Sequence, residues 1–234
     1  MRNDIVPDIV VRRLPLYLRT LRQVQRAGVH TISSEELAQY LGSTAAQIRR
    51  DLSFLGRFGK QGHGYRVHAL IRELEYALGL DRTWDVALVG YGNLGQAIAH
   101  YRGFEPNGFR IAAIFAKSPD HIGQVVNGLV VLPDSDIERV VSELGIRIGI
   151  IAVPASAAQE VADRLVSAGV RAILNYAPVV LRVPVSVTVR EIDPISMLQS
   201  MTYYLRDPSC DEHRSYADGD LTGAIRAEPR PEAR

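Results

Sequence analysis

The stretch Asp85-Val86-Ala87-Leu88-Val89-Gly90-Tyr91-Gly92-Asn93-Leu94-Gly95 decides the fold. A strand-like run flows directly into G-x-G-x-x-G, and a helical segment follows. That order holds a dinucleotide pyrophosphate. Gly90 permits the tight turn, Gly92 lets the backbone approach the pyrophosphate, and Gly95 allows close helix–strand packing. The helix opening near Asn93 offers unpaired backbone N–H groups to the anion. The motif starts near residue 85, so about eighty residues of something else precede it.

From residue 85 onward, apolar strands alternate with helices, the signature of a parallel sheet. The pattern predicts strands at 85–89, 109–115, 129–131, 147–152, 171–174 and 185–190. Between and after them it predicts helices at 93–103, 134–144, 155–168 and 194–205. Val153-Pro154 and Asn175-Tyr176-Ala177-Pro178 follow predicted strands, at the C-terminal ends where such sheets bind ligands; ordinary turns are the alternative. The acid that usually holds the ribose near the end of the second strand is missing. Ile111-Ala112-Ala113-Ile114-Phe115 leads instead into Ala116-Lys117-Ser118. A neutral Ala116 followed by Lys117 admits NADP(H) as the alternative to NAD(H), or a weakened nucleotide site.

The preceding segment reads as helical. Ile9, Leu14, Leu16, Leu18, Leu21 and Val24 form one broad apolar face over 8–27, with Gly28 ending it and Pro15 predicted to kink or restart it. Ser33 with Glu36 makes a capping box for a short helix that closes at Leu41-Gly42. Thr44, with Gln47 three residues on, opens a third helix to about Phe54. Two helices across a tight glycine turn predict a helix-turn-helix. Phe58-Gly59-Lys60-Gln61-Gly62-His63-Gly64-Tyr65-Arg66-Val67 predicts a small hairpin wing, and 69–79 a linking helix. On the third helix, Arg49, Arg50 and Ser53 share a face while Ile48 and Leu52 point inward. Arginine donates two bonds to guanine, and Gln47 has the same capacity toward adenine. Lys60 and Gln61 suit a phosphate backbone or a minor groove. A merely solvated arginine surface is the competing reading.

Charge follows the same division. Residues 1–84 hold 13 Lys/Arg against 8 Asp/Glu (+5), and 85–234 hold 14 against 18 (−4). A basic head suits a polyanion. One cysteine, Cys210, excludes an intrachain disulfide and fits a reducing compartment. No long apolar run marks a signal peptide or membrane span, so a soluble cytoplasmic protein is expected. No Cys/His cluster has zinc spacing, and His63 and His121 stand among turn residues without a catalytic partner.

At this point the chain resembles the redox-sensing transcriptional repressor family called Rex. The resemblance runs over nearly all of residues 8–205. It rests on Arg13-Leu14-Pro15-Leu16-Tyr17, Ser34-Glu35-Glu36-Leu37-Ala38 and Thr44-Ala45-Ala46-Gln47-Ile48-Arg49-Arg50-Asp51-Leu52-Ser53. Gly62-His63-Gly64-Tyr65, Gly92-Asn93-Leu94-Gly95 and Asn175-Tyr176-Ala177-Pro178 add to it. It implies a winged-helix DNA-binding domain (1–80), a Rossmann dinucleotide-binding domain (81–193) and a C-terminal helix swapped between subunits (194–206); the remainder (207–234), rich in Asp, Glu, Arg, Gly and Pro with few apolar residues, reads by composition as a disordered tail. The resemblance further implies a homodimer on palindromic double-stranded operator DNA, NADH releasing the DNA and NAD+ permitting binding, with switch residues at Arg19, Tyr101 and Asp193. For Asp193 a helix N-cap is the local alternative. Three positions depart from the family pattern: Ala116 for the ribose-binding acid, Gln61 for a basic wing residue and His63 for a small apolar one.

Two rival readings belong to other classes. A small nicotinamide-dependent oxidoreductase would need a substrate domain, but only about 120 ordered residues follow the glycine loop, enough for one Rossmann-like unit. A CoA-binding protein is the third reading, because similar small sheets serve that purpose.

Overall fold

The computed structural model describes residues 6–56 and 64–206. The chain divides into two compact units, with the boundary between Asp81 and Arg82.

The first unit opens with α1 (Asp8–Arg26), which runs through Pro15 without the expected restart. Proline there forfeits one backbone donor, and the packed face of the helix outweighs that loss. Val10, Leu14, Tyr17, Leu21 and Val24 recur at three- and four-residue spacing and are buried. The face is rotated from the expected one, so Ile9 is exposed and Tyr17 lies in the core. β1 (Thr31–Ile32) leads to α2 (Ser34–Leu41). Ser33 Oγ accepts from Glu36 N–H at 3.0 Å, and Glu36 Oε2 accepts from Ser33 N–H at 2.7 Å, completing the capping box. Gly42 adopts φ 60°, the left-handed cap that only glycine takes freely. Thr44 caps α3 (Ala45–Ser53) through Gln47 N–H, but the Gln47 side chain turns toward Asp51 and completes no box.

Of the expected wing, residues 57–63 lie outside the described residues, and with them Lys60, Gln61 and His63. β2 (Tyr65–Arg66) pairs antiparallel with β1, a strand the periodicity did not reveal because two residues carry no pattern. α4 (Val67–Ala77) then buries Val67, Leu70, Ile71 and Leu74 and packs on α1.

The second unit strings together β3 (Trp84–Val89), α5 (Asn93–Ala99), β4 (Phe109–Ala116), β5 (Val125–Val126) and β6 (Leu129–Pro133). It continues through α6 (Ile137–Glu143), β7 (Ile148–Ile151), α7 (Ala155–Ser167), β8 (Ala172–Asn175), β9 (Thr188–Glu191) and α8 (Pro194–Arg206). The sheet order is β5-β6-β4-β3-β7-β8-β9, parallel except for the β5–β6 pair. β3 is central. The chain leaves it toward β4 and β6, then returns to β7 on its other side, which is the topological switch of a Rossmann-like sheet. Side chains alternate along β3: Val86 and Leu88 join the core under α5, and Ala87 and Val89 the core under α6 and α7. α5 stops at Ala99, four residues short of the expected end.

Arg164 on α7 clamps α6 with two bonds of 2.6 Å, from Nε to Glu138 Oε1 and from Nη2 to Oε2. Those bonds hold the Glu138 carboxyl below its ordinary 4.5. The folded value is depressed, so the contribution is complete above 4.5 and is lost as pH falls through the lower folded value. Glu138→Gln should therefore flatten the acid side of a stability–pH curve measured by urea unfolding, and leave the neutral-to-alkaline side parallel to the parent.

Candidate functional site

The parallel ladders deliver four loops to one edge of the sheet. Gly90 N–H donates to Phe115 O at 2.9 Å and Ala152 N–H to Val89 O at 2.8 Å. Tyr176 N–H donates to Ile151 O at 3.0 Å and Ile192 N–H to Asn175 O at 2.8 Å. The glycine loop, the Ala116-Lys117 turn, Val153-Pro154 and Asn175-Tyr176-Ala177 thus come together at the C-terminal strand ends, around the switch point. Gly90 has φ 101°, and a Cβ there would overlap the Ala152 carbonyl; one at Gly95 would overlap the Gly90 carbonyl oxygen. A Cβ at Gly92 would meet nothing within 4 Å. Two glycines therefore serve the fold, and the third keeps open the space in front of the loop. No side chain caps α5 at Gly92, so its first backbone N–H groups have no side-chain acceptor there.

The individual side chains divide by role. Asn93 and Leu94 are exposed in the first turn of α5. Tyr91 is buried and packs edge-on against His121, ring centroids 5.5 Å apart, so its contribution to the cleft is backbone. Ala116 is buried at the end of β4 and Lys117 is exposed just beyond it. Val153 is half-buried, and exposed Pro154 precedes α7. Asn175 is 1% exposed and turns inward: Nδ2 donates to the carbonyls of Ala177 (3.1 Å) and Val179 (2.9 Å), and Oδ1 accepts from Ala177 N–H (3.0 Å). It builds the turn that carries Tyr176, whose phenol is pushed up by burial.

On α3, Ile48 and Leu52 are buried while Arg49, Arg50 and Ser53 are exposed. Arg49 Nη1 donates to Ser34 Oγ and to Glu35 Oε1, each at 2.8 Å, which ties it to α2. Arg50 projects into solvent, and Ser53 Oγ donates back to Arg50 O at 2.6 Å. The residue that sequence reasoning missed is Asp51, fully buried under this face. Its Oδ2 accepts from Arg13 Nε and Tyr17 OH, both at 2.6 Å. Its Oδ1 accepts from Arg13 Nη2 at 2.9 Å and Gln47 Nε2 at 2.6 Å. Burial, then the bond to Asp51, raises the Tyr17 phenol above its ordinary value, and the same carboxylate raises Arg13. The available signal was an acid sharing a helix face with Ile48 and Leu52.

Of the three residues named as switches, Arg19 is exposed on α1 in the first unit. Tyr101 follows α5, stacks edge-on with Phe104 at 5.3 Å and lines a cavity of about 600 Å³ together with Ile111, Ile114 and Leu129. Asp193 follows β9, and its Oδ1 accepts from Ile195 N–H at 3.0 Å, the local capping role that the sequence allowed.

A helix-turn-helix unit joined to a Rossmann-like sheet, with an open glycine loop at its switch point, defines a ligand-responsive transcription regulator. The family model "CoA binding domain" matches residues 81–179, and "Putative DNA-binding protein N-terminus" matches residues 5–53. The redox-sensing transcriptional repressor Rex of Roseiflexus sp. strain RS-1 is 56% identical over 92% of this chain and 98% of its own length. The Rex protein of Streptomyces griseus is 43% identical over 97% and 89%. A crystal structure of RSP in complex with beta-NAD+ and operator DNA matches with TM-score 0.83 at 39% identity, over 92% of this chain and 99% of that one. RSP in complex with beta-NADH matches with TM-score 0.80 at 38% identity, over 90% and 99%. The chain belongs to the Rex family of redox-sensing transcriptional repressors. Its relatives are named as repressors and not as enzymes.

Proposed function

We propose that this chain represses transcription as a homodimer on double-stranded operator DNA, and that NAD(H) in the strand-edge cleft sets its DNA affinity, NADH releasing the DNA. The observation that carries this reading is the open space before Gly92 at the switch point of a sheet joined to a helix-turn-helix unit. The likeness to RSP, whose structures hold beta-NAD+ with operator DNA and beta-NADH, supports it. Gly90 to Gly95 would hold the pyrophosphate. Val153, Pro154, Tyr176 and Ala177 line the nicotinamide side, and Ala116 with Lys117 the adenosine side. Arg19, Tyr101 and Asp193 couple occupancy to dimer geometry. α8 leaves Ile195, Leu198, Met201 and Tyr204 exposed, each more than half, an apolar surface that suits exchange with a second subunit. Among the described residues no helix is long and apolar enough to cross a membrane. Action on DNA places the protein in the cytoplasm.

Two recognition helices must sit roughly 34–36 Å apart to engage both half-sites. A ligand that drives occupancy from 1:99 to 99:1 must supply about 5.5 kcal/mol of differential affinity. Operator binding titrated in parallel with NADH, NADPH, NAD+ and NADP+ tests the reading. NADH should weaken binding, and NAD+ should leave it intact. Equal affinity in all four overturns the sensor. The NADPH arm bears on Ala116: a response to NADPH at NADH-like concentrations is the result expected of a site without the ribose-binding acid.

The arginines of α3 carry a separate prediction. Arg50→Ala should weaken operator binding by about 1–3 kcal/mol, read by fluorescence anisotropy, with nucleotide binding unchanged. Arg49→Ala should weaken it as well and also free Glu35. Parent-like affinity in both variants removes these arginines from the interface.

A further inference from the structure

We infer that Asp51 is a positioning residue for base recognition: its buried carboxylate fixes the Gln47 amide in one orientation, and Gln47 so held reads an adenine in the operator. The inference deepens, and rests on, the reading of α3 as the recognition helix.

An ionised carboxylate offers about four lone-pair sites and no donor. At Asp51 all four are taken, two on each oxygen: by two guanidinium nitrogens of Arg13, the Tyr17 hydroxyl and the Gln47 amide nitrogen. A glutamine amide on a free surface turns over readily, exchanging its oxygen and nitrogen. Here the turned amide would set Gln47 Oε1 against Asp51 Oδ1, 2.6 Å from where a donor now stands. Two acceptors at that distance repel in a buried site, and Asp51 has no exposed surface on which to escape. Arg13 and Tyr17 hold the carboxylate from α1, so it cannot rotate to follow Gln47. The amide nitrogen therefore faces Asp51 with one hydrogen. Its second hydrogen and Oε1 point the other way, and that donor–acceptor fork matches N7 and the N6 amino group of adenine. Gln47 stands three residues inside the Thr44 cap, at the end of a recognition helix that meets base edges. Its ordering is complete before DNA arrives, which lowers the cost of binding.

The test uses full-length dimer and a set of duplexes in which each base pair of the selected half-site is changed in turn. Gln47→Ala locates the base pair it faces, as the position whose preference disappears. The parent should prefer A·T there by about 5- to 100-fold. In Asp51→Asn the side-chain oxygen stays with Arg13 Nε and the Tyr17 hydroxyl, and the new amide nitrogen faces both Gln47, which turns over, and Arg13 Nη2, which loses its acceptor. The preference should fall to about twofold at that position alone, with affinity for unrelated DNA unchanged. Tyr17→Phe, which removes a donor to Asp51 without touching Gln47, should keep the preference. A uniform loss across all duplexes in Asp51→Asn, or a retained A·T preference, overturns the inference. So does a strong preference elsewhere with none at the Gln47 position. A parent that binds every duplex alike overturns instead the reading of α3 itself. If Asp51→Asn fails to fold, side-chain amide NMR of the parent decides: slow hydrogen exchange at Gln47 Nε2 supports the held amide, and exchange as fast as a free glutamine overturns it.

Discussion

Gly92→Val is expected to abolish the response to nucleotide and to leave the fold and DNA affinity intact. A Cβ at Gly92 meets no atom within 4 Å, and the residue sits at φ −76°, ψ −166°, extended backbone that valine adopts freely. Stability should therefore stay within about 0.5 kcal/mol of the parent, as for an unobstructed surface change. The branched side chain instead fills the space where a pyrophosphate would approach. Losing even two hydrogen bonds from backbone N–H to a charged oxygen, at about 1.5–3 kcal/mol each, lowers nucleotide affinity on the order of 100-fold or more. Calorimetric titration with NADH alongside operator binding measures both halves. A variant that still releases DNA at the parent's NADH concentration removes this loop from the mechanism. Gly95→Ala provides the contrast, because its Cβ would overlap the Gly90 carbonyl and must disturb the sheet itself.

Asp51→Ala carries the second large effect, on the other unit. It leaves the Arg13 guanidinium, with only 15% of its side chain exposed, without a counter-charge, and the buried Tyr17 hydroxyl without its acceptor. Breaking a buried ion pair from one side costs about 3–5 kcal/mol. The first unit should melt well below the parent while the sheet unit keeps its own transition, resolved by calorimetry of the full chain. Adding Arg13→Met to Asp51→Ala should recover part of the loss, since an apolar replacement no longer strands a charge. A parent-like melting curve for Asp51→Ala would show that the network contributes nothing to folding.

Both effects separate what neighbouring residues reveal from what distant ones do. The order of strand, glycine loop and helix at 85–99 is local chemistry: β-branched residues, then residues that tolerate tight turns, then a helical period. The Ser33 capping box and the Gly42 cap are equally local, each closed within a few residues. Those signals were legible, and with them the two-part architecture and the glycine loop at the strand ends. The rotated face of α1 was not, because Ile9 and Val10 are both apolar and only packing into the core of the first unit selects between them.

The sequence by itself determined the elements, their order and the residue types present at the cleft and on α3. Tertiary structure alone decided which of those residues are free to act. Asp51 meets Arg13 across 38 positions, and no periodicity spans that distance. Asn175 turned out to build a turn, and Tyr91 to fill the core with its ring. Backbone preference acts over a few residues, so it can be read along the chain. Burial and hydrogen-bond partnership are set by residues that meet only after the chain has folded.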